Sequence, residues 1–365
     1  MKVESNVLDR QFRMFQAEYE QKALEVLRGG WYVLGGEVKA FEEEFAAYVG
    51  AKHCVCLASG LDALWISLRL LGIGAGDEVL VQSNAYIACV MGITINGATP
   101  VFVEPDAYYN LDVEQLEAKI TPKTKAILVV HLYGQAANMD AITALGKKHN
   151  LFVVEDCAQS HGAAYNGKIT GTFGKIGCFS FYPSKNLGCF GDGGAIVTDD
   201  AELAQKARTF RNYGSQKRYH NEVVGTNSRL DELQAGLLRV KLRHLPELTA
   251  EREQIALKYC RNINNELLQL PGVADGATHV WHLFVLRTQQ RERLVEYLNA
   301  HEIGSQIHYP IPPHLSEAYA YLQLRKGALP LSELYASEVL TLPLYNGMTD
   351  SESDYVIERL NNFRV

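Results

Sequence analysis

The chain has no Cys-x-x-Cys pair, no apolar run approaching the length of a membrane span, and no excess of basic over acidic residues. Each absence excludes something. The seven cysteines, at 54, 56, 89, 157, 178, 189 and 260, are scattered and odd in number, and several sit in apolar strand-like runs. That pattern reads as buried, reduced thiols rather than a disulfide framework. His53 beside Cys54 and Cys56 lacks the spacing of zinc ligands, so no metal is expected. A formal net charge of −7 does not favour nucleic acid or an acidic membrane as partner. The opening residues MKVESNVLDRQ lack the apolar stretch of a signal peptide, so the expectation is a cytoplasmic protein. Internal repeats and low-complexity tracts are missing as well.

What is present is 365 residues, 47% of them hydrophobic, enough for a substantial core and about two domains. A helix is expected over Phe12–Arg28. A second is expected from about 36 to 49, where Val38, Phe41, Phe45 and Tyr48 recur at helical spacing. Apolar strand-like runs then alternate with helical ones: HCVCLAS (53–59), EVLVQS, Thr99–Val103, KAILVVHLYG (125–134), the run ending at Asp156, Cys178–Tyr182 and AIVTDD (195–200). Alternation of this kind predicts a doubly wound α/β sheet with a largely parallel core. A loop to about 227 and a long helix to about 262 follow. From about 241 the pattern changes. HVWHLFVLR (279–287) and GSQIHYP (304–310) read as strands, and a closing helix begins near 350. Residues 1–240 are expected to form a large domain and 241–365 a smaller α+β domain.

Three features carry chemistry. Ser59-Gly60-Leu61 stands between a strand and a helix, where free amides and the helix dipole attract an anion and the glycine permits close approach. Asp62 must then point away from that anion. Lys185 follows a buried strand and precedes a glycine-dense turn, a setting that strips hydration from an ammonium and leaves a nucleophilic amine. A lone lysine in a loop is far more often solvated surface. Asp156, with Gln159 and His161 just beyond, ends another buried strand. An acid and a lysine at neighbouring strand ends converge on one crevice. Pyridoxal phosphate (PLP) uses that pair, the lysine for a Schiff base and the carboxylate to keep the pyridine nitrogen protonated.

Through Asp156-Cys157-Ala158-Gln159, Ser180-Phe181 and Lys185-Asn186-Leu187-Gly188, the chain resembles the DegT/DnrJ/EryC1/StrS group of PLP-dependent sugar aminotransferases over essentially its whole length. The resemblance implies the type I aminotransferase fold, with a mostly parallel seven-stranded sheet in the large domain. It implies that Lys185 holds PLP, Asp156 pairs the pyridinium, Gln159 bonds the phenolic oxygen and Tyr86 stacks on the ring. Phosphate is implied at Ser180 and the Gly60 and Leu61 amides. The family more often has a hydroxyl residue where Leu61 stands, leaving backbone amides alone there. Tyr182, His308 and Tyr309 are implied on the sugar side. Apart from the resemblance, Lys217 and Arg218 form a small basic cluster that reads either as a diphosphate contact or as solvated charges. The resemblance also implies a homodimer with shared active sites, in which Asn227 reaches the neighbour's cofactor phosphate and Arg229 lies near donor or substrate. The alternative for Arg229 is a surface pair with Asp231 or Glu232.

Gly60-Leu61-Asp62-Ala63-Leu64 and HYPIPPHL (308–315) look most like the 3-aminotransferases of dTDP-3-keto-6-deoxyhexoses, with glutamate as amino donor. A 4-keto-sugar aminotransferase and a PLP-binding regulator without turnover are the alternatives. A dehydratase on the same scaffold is disfavoured by Lys185, because such relatives carry histidine there.

Overall fold

Seven short strands with almost wholly buried side chains make the central sheet of this computed structural model, which describes residues 1–365. They are β1 (His53–Leu57), β2 (Glu78–Gln82), β3 (Thr99–Val103), β4 (Thr124–Val130), β5 (Phe152–Asp156), β6 (Ile176–Ser180) and β7 (Gly194–Thr198). Their order is β1-β7-β6-β5-β4-β2-β3. The five strands from β6 to β3 run parallel, and β7 runs antiparallel to both β6 and β1. Continuous apolar strands are expected where both faces are covered. Here Val55, Leu128, Val154 and Ile196 pack into one core, while Ile127, Val129 and Leu80 face another.

The covering helices follow their caps. α4 (Gly60–Leu70) begins at Ser59, whose side chain accepts from the Asp62 amide at 3.0 Å, and α5 (Ile87–Thr94) begins at Tyr86. α6 (Met139–Lys148) is capped by Asn138 and α7 (Ala201–Phe210) by Asp200. Ahead of the sheet stand α1 (Leu8–Met14), α2 (Gln16–Gly29) and α3 (Gly36–Val49). The single expected helix over Phe12–Arg28 is two, interrupted at Phe15, whose ring stacks on His244 at 3.8 Å. The long α8 (Glu232–Asn262) packs against α2 and α3, where the Glu232 carboxylate accepts the Gly35, Glu37 and Val38 amides. It thereby supplies the cap that α3 lacks in its own sequence.

A separate core collects Ile255, Tyr259, Phe284, Leu294, Leu340 and Val356 from α8 onward. Val3 joins it, tied to Glu302 and Gly304 through backbone bonds, so the N-terminal residues pack with the C-terminal part of the chain. Of the expected 279–287 strand, Phe284–Arg287 forms a ladder, with Val339–Leu342, and His279 makes a single bridge to Gln135. Trp281 takes a left-handed φ of 49° and stacks on His279 at 3.9 Å, which ends the extended run. The 304–310 segment is likewise no strand, because it meets its neighbour at the single bridge Gln306–Thr341. A small hairpin, Ser215–Lys217 with His220–Asn221, stands in what reads from sequence as plain loop.

Candidate active site

The carboxyl ends of β5 and β6 and the amino ends of α4 and α5 surround one chamber of about 640 Å³. Parallel strands that deliver their carboxyl ends to one edge create such a crevice. Lys185, Asp156, Gln159, Tyr86, Ser180 and the Gly60–Leu61 turn all line it. So do Tyr182, His308 and Tyr309.

Asp156 is 5% exposed and its carboxylate is held on two sides. Oδ1 accepts the Ala158 amide at 3.0 Å, and Oδ2 accepts the Cys89 thiol at 3.0 Å. Burial, then the Asp156 charge, raises the Cys89 pKa well above its ordinary value, so the thiol keeps its proton and remains a donor. Cys89 lies one helical turn after Tyr86, so a single turn of α5 brings both an aromatic ring and a carboxylate partner to the chamber. Behind the strand, buried Glu155 accepts Gly171, Phe173, Gly174 and His131, fixing the chain that backs Asp156.

Lys185 is half-buried, and it lines the chamber wall. Burial lowers its pKa to about 8 from the usual 10.5, with Asp156 and then Cys89 pulling the other way. The loop around it is pinned: Asn186 Nδ2 donates to the Val280 carbonyl, and the Cys189 thiol donates to the Phe181 carbonyl. A Cβ at Gly188 would fall 2.4 Å from the Pro183 carbonyl oxygen, so only glycine fits that turn.

At the other end, Gly60 lies against Ser180 so closely that a Cβ would come within 2.5 Å of the Ser180 Cβ. The first-turn amides of α4 therefore stand beside the Ser180 hydroxyl. As the sequence requires, Asp62 turns away, accepting from Ser228 Oγ at 2.6 Å and Trp65 Nε1 at 2.8 Å. Gln159 Oε1 accepts the Tyr133 amide at 2.7 Å, which orients Nε2 to donate to the Tyr309 hydroxyl at 3.1 Å. Tyr309 sits 5.1 Å from the Tyr86 ring, and His308 Nδ1 lies 2.7 Å from Thr341 Oγ1. Burial, followed by the Lys185 charge, pushes His308 down to about 4, so it is neutral at neutral pH.

Arg218, Asn227 and Arg229 lie outside this chamber. Arg218 is on the exposed hairpin, 5.0 Å from the Tyr219 ring. Asn227 Nδ2 donates to the Tyr213 hydroxyl, and Arg229 bonds Asn212 while lying over the Tyr213 ring. Arg229 makes no pair with Asp231 or Glu232; the latter is committed to the start of α3. Sequence reading missed Ala158, Cys89, His282 and the N-terminal Ser5 and Asn6, all on the chamber wall. Spacing gave a signal for Cys89, three residues past Tyr86, and for Ala158 between Asp156 and Gln159. Nothing local marked the others.

The family model of the DegT/DnrJ/EryC1/StrS aminotransferases matches residues 14–361. The chain is 52% identical to the dTDP-3-amino-3,6-dideoxy-alpha-D-galactopyranose transaminase of Aneurinibacillus thermoaerophilus, over 97% of this chain and 98% of that protein. It superposes on S. venezuelae DesV, solved with a ketimine intermediate, at a TM-score of 0.97 and 45% identity, covering 100% of this chain and 99% of that one. Bacillus subtilis NtdA, solved with bound cofactor PMP, gives a TM-score of 0.91 at 30% identity, covering 99% of this chain and 85% of that one. Sequence, sheet topology and chamber agree, and the chain belongs to the DegT/DnrJ/EryC1/StrS aminotransferase family.

Proposed function

We propose that this protein is a PLP-dependent aminotransferase that converts a dTDP-linked 3-keto-6-deoxyhexose to its 3-amino sugar, with glutamate as amino donor. The observation that carries it is the pairing, in one chamber, of a lysine amine at about pKa 8 with a carboxylate fixed by two donors. The relative at 52% identity, whose name is that of a dTDP-3-amino-3,6-dideoxygalactose transaminase, supports the sugar class. We take residues 1–240 as the large domain and 241–365 as the small one.

The residues present fit the cofactor. Lys185 Nζ has no hydrogen-bond partner in the protein and is the group to hold it covalently, while Asp156 pairs its ring nitrogen. The Gly60 and Leu61 amides with Ser180 Oγ form a phosphate cradle that a side chain at position 60 would fill. Tyr86 and Ala158 flank the ring, and Gln159 Nε2 is the donor for its phenolic oxygen. When bound, the cofactor supplies an electron sink that lets a proton leave the carbon bearing the amine.

Lys185 Nζ takes that proton as base and returns it as acid, and a pKa near neutrality suits it to both tasks. Asp156 is held in place for this role by the Ala158 amide and the Cys89 thiol, which both donate to it. Tyr182, His308 and Tyr309 contact the sugar, and neutral His308 offers its ring nitrogens as hydrogen-bonding groups rather than a charge. The chamber is completed by a second copy of the chain in a two-fold dimer, with Asn227, Arg229 and Arg218 lent across the interface. Exposed Tyr219 and Val224, at 83% and 95%, are the kind of surface such a dimer covers.

Incubation with synthetic dTDP-3-keto-6-deoxyhexoses, glutamate and PLP tests the reading, with the product followed by NMR. The expected product carries nitrogen on sugar carbon 3. An amine at carbon 4, or no turnover by a folded, PLP-loaded protein, overturns it.

A further inference from the structure

The turn after β4 carries a tyrosine in a conformation that side chains rarely adopt. Tyr133 has a left-handed φ of 60° and is 4% exposed, so the surrounding fold must hold it there. Asn110 clamps the turn from both ends. Its Oδ1 accepts the Leu132 amide at 3.0 Å, and its Nδ2 donates to the Gln135 carbonyl at 3.3 Å. Gly134, with a φ of 107°, lets two other segments come close. A Cβ there would fall 2.9 Å from the His282 backbone nitrogen and 3.1 Å from the Gln159 carbonyl oxygen.

Each polar group of Tyr133 goes to a different part of the chamber's frame. Its amide donates to Gln159 Oε1 at 2.7 Å, its carbonyl accepts the Leu283 amide at 3.2 Å, and its hydroxyl donates to the His308 carbonyl. A carbonyl only accepts, so the hydroxyl proton is committed to His308. Burial raises the Tyr133 pKa well above its usual value, so that proton is kept. Gln159 in turn donates to the Tyr309 hydroxyl at 3.1 Å. Gln159, Leu283, His308 and Tyr309 all line the chamber, and Tyr133 does not. It stands behind the wall, its ring 5.2 Å from that of Tyr109.

We propose that Tyr133 is a positioning residue that sets the spacing between two sides of the chamber, Gln159 on the cofactor side and His308 with Tyr309 on the sugar side. This rests on the reading of those residues given above. The Gln306–Thr341 bridge and the His308 ring on Thr341 tie 306–308 to the Val339–Leu342 strand. The Tyr133 hydroxyl and Gln159 tie 308–309 to the central sheet's end of the chamber. The two ties of Tyr133 are chemically separable. Gln159 is held by the backbone amide, which every side chain at position 133 retains, whereas His308 is held by the hydroxyl alone. Loss of the hydroxyl therefore loosens the sugar side and leaves the cofactor side in place.

Tyr133→Phe keeps the ring and removes the hydroxyl, and two measurements read the result. In the full chain without cofactor, hydrogen exchange followed by mass spectrometry should quicken at the Gln306 amide, which is bonded to the Thr341 carbonyl two residues from His308. In the PLP-loaded enzyme, KM for the dTDP-3-keto-6-deoxyhexose should rise about tenfold, the scale of one hydrogen bond left unmade. The half-reaction with glutamate should keep its wild-type rate. Tyr259→Phe removes another buried hydroxyl, bonded to the Pro343 carbonyl at 2.8 Å in the C-terminal core, and should lower the melting temperature without moving the sugar KM. Unchanged exchange in folded Tyr133→Phe overturns the proposal. So does an equal loss in both half-reactions, or an equal rise in KM in Tyr259→Phe. The exchange measurement involves neither cofactor nor sugar, so its failure is distinct from failure of the transamination reading, which shows as wild type without turnover.

Discussion

Two loops of the molecule, one after β6 and one before α8, are built on opposite principles. The first, Phe181–Gly193, is pinned from every side: Asn186 to Val280, the Cys189 thiol to Phe181, and Lys241 Nζ to the Gly188 carbonyl at 3.2 Å. The second, Tyr213–Arg229, points outward and mostly satisfies itself, with Asn227 on Tyr213, Arg229 on Asn212 and Gln216 on Glu222. Buried polar groups must find partners inside the chain, whereas exposed ones have water. The difference teaches that one loop is finished by the body of its own chain, while the other leaves its groups to one another and to water, where the proposed dimer would use them.

Breaking the comparison outright means mixing two dead proteins. Lys185→Ala disables the finished loop and Arg229→Ala the outward one, and each alone should be inactive. Dissociated and reassociated in equal amounts, half the dimers are hybrids with one intact site each, so activity should return to about a quarter of wild type. A mixture that stays inactive despite subunit exchange, checked by native mass spectrometry, would mean that both loops serve their own chain.

The pinned half can be weakened without disturbing the outward one. Asp156→Asn keeps the shape but removes the charge, and loss of one such electrostatic partner lowers kcat on the order of a hundred- to a thousandfold. Cofactor should stay bound, which absorbance spectroscopy checks alongside steady-state rates. Tyr86 is a milder case. It is 50% exposed and touches Tyr309 across the chamber, so it is held less firmly than Asp156. Tyr86→Leu removes ring stacking, about 0.5–1.5 kcal/mol, and should weaken PMP binding by about two- to tenfold in calorimetry.

The same contrast explains how much was legible in the sequence. Asp156 and Lys185 follow buried strands, where burial and chain direction point to chemistry, while Gln159 and Ser180 were named through short motifs shared with the family. The alternation of strands and helices marked a largely parallel α/β sheet and the family resemblance its seven strands, although the antiparallel run of β7 left no local mark. His282 was invisible because its tie to Asn186 spans 96 residues of chain. Ser5 was invisible for the same reason, since Gln306, 301 residues away, donates to its hydroxyl. The 304–310 segment misled because its apolar alternation serves one side of the chamber through one bridge rather than a ladder.

Two lysines, half-buried Lys185 and buried Lys241, have amines that desolvation drives toward neutrality, to about 8 and about 7. Only Lys185 lines the chamber; Lys241 is spent on the Gly188 carbonyl. Borohydride reduction of the PLP-loaded protein, followed by peptide mapping, separates them. The pyridoxyl group should be found on Lys185 alone, and its recovery on Lys241 or any other lysine would contradict the assignment of the chamber.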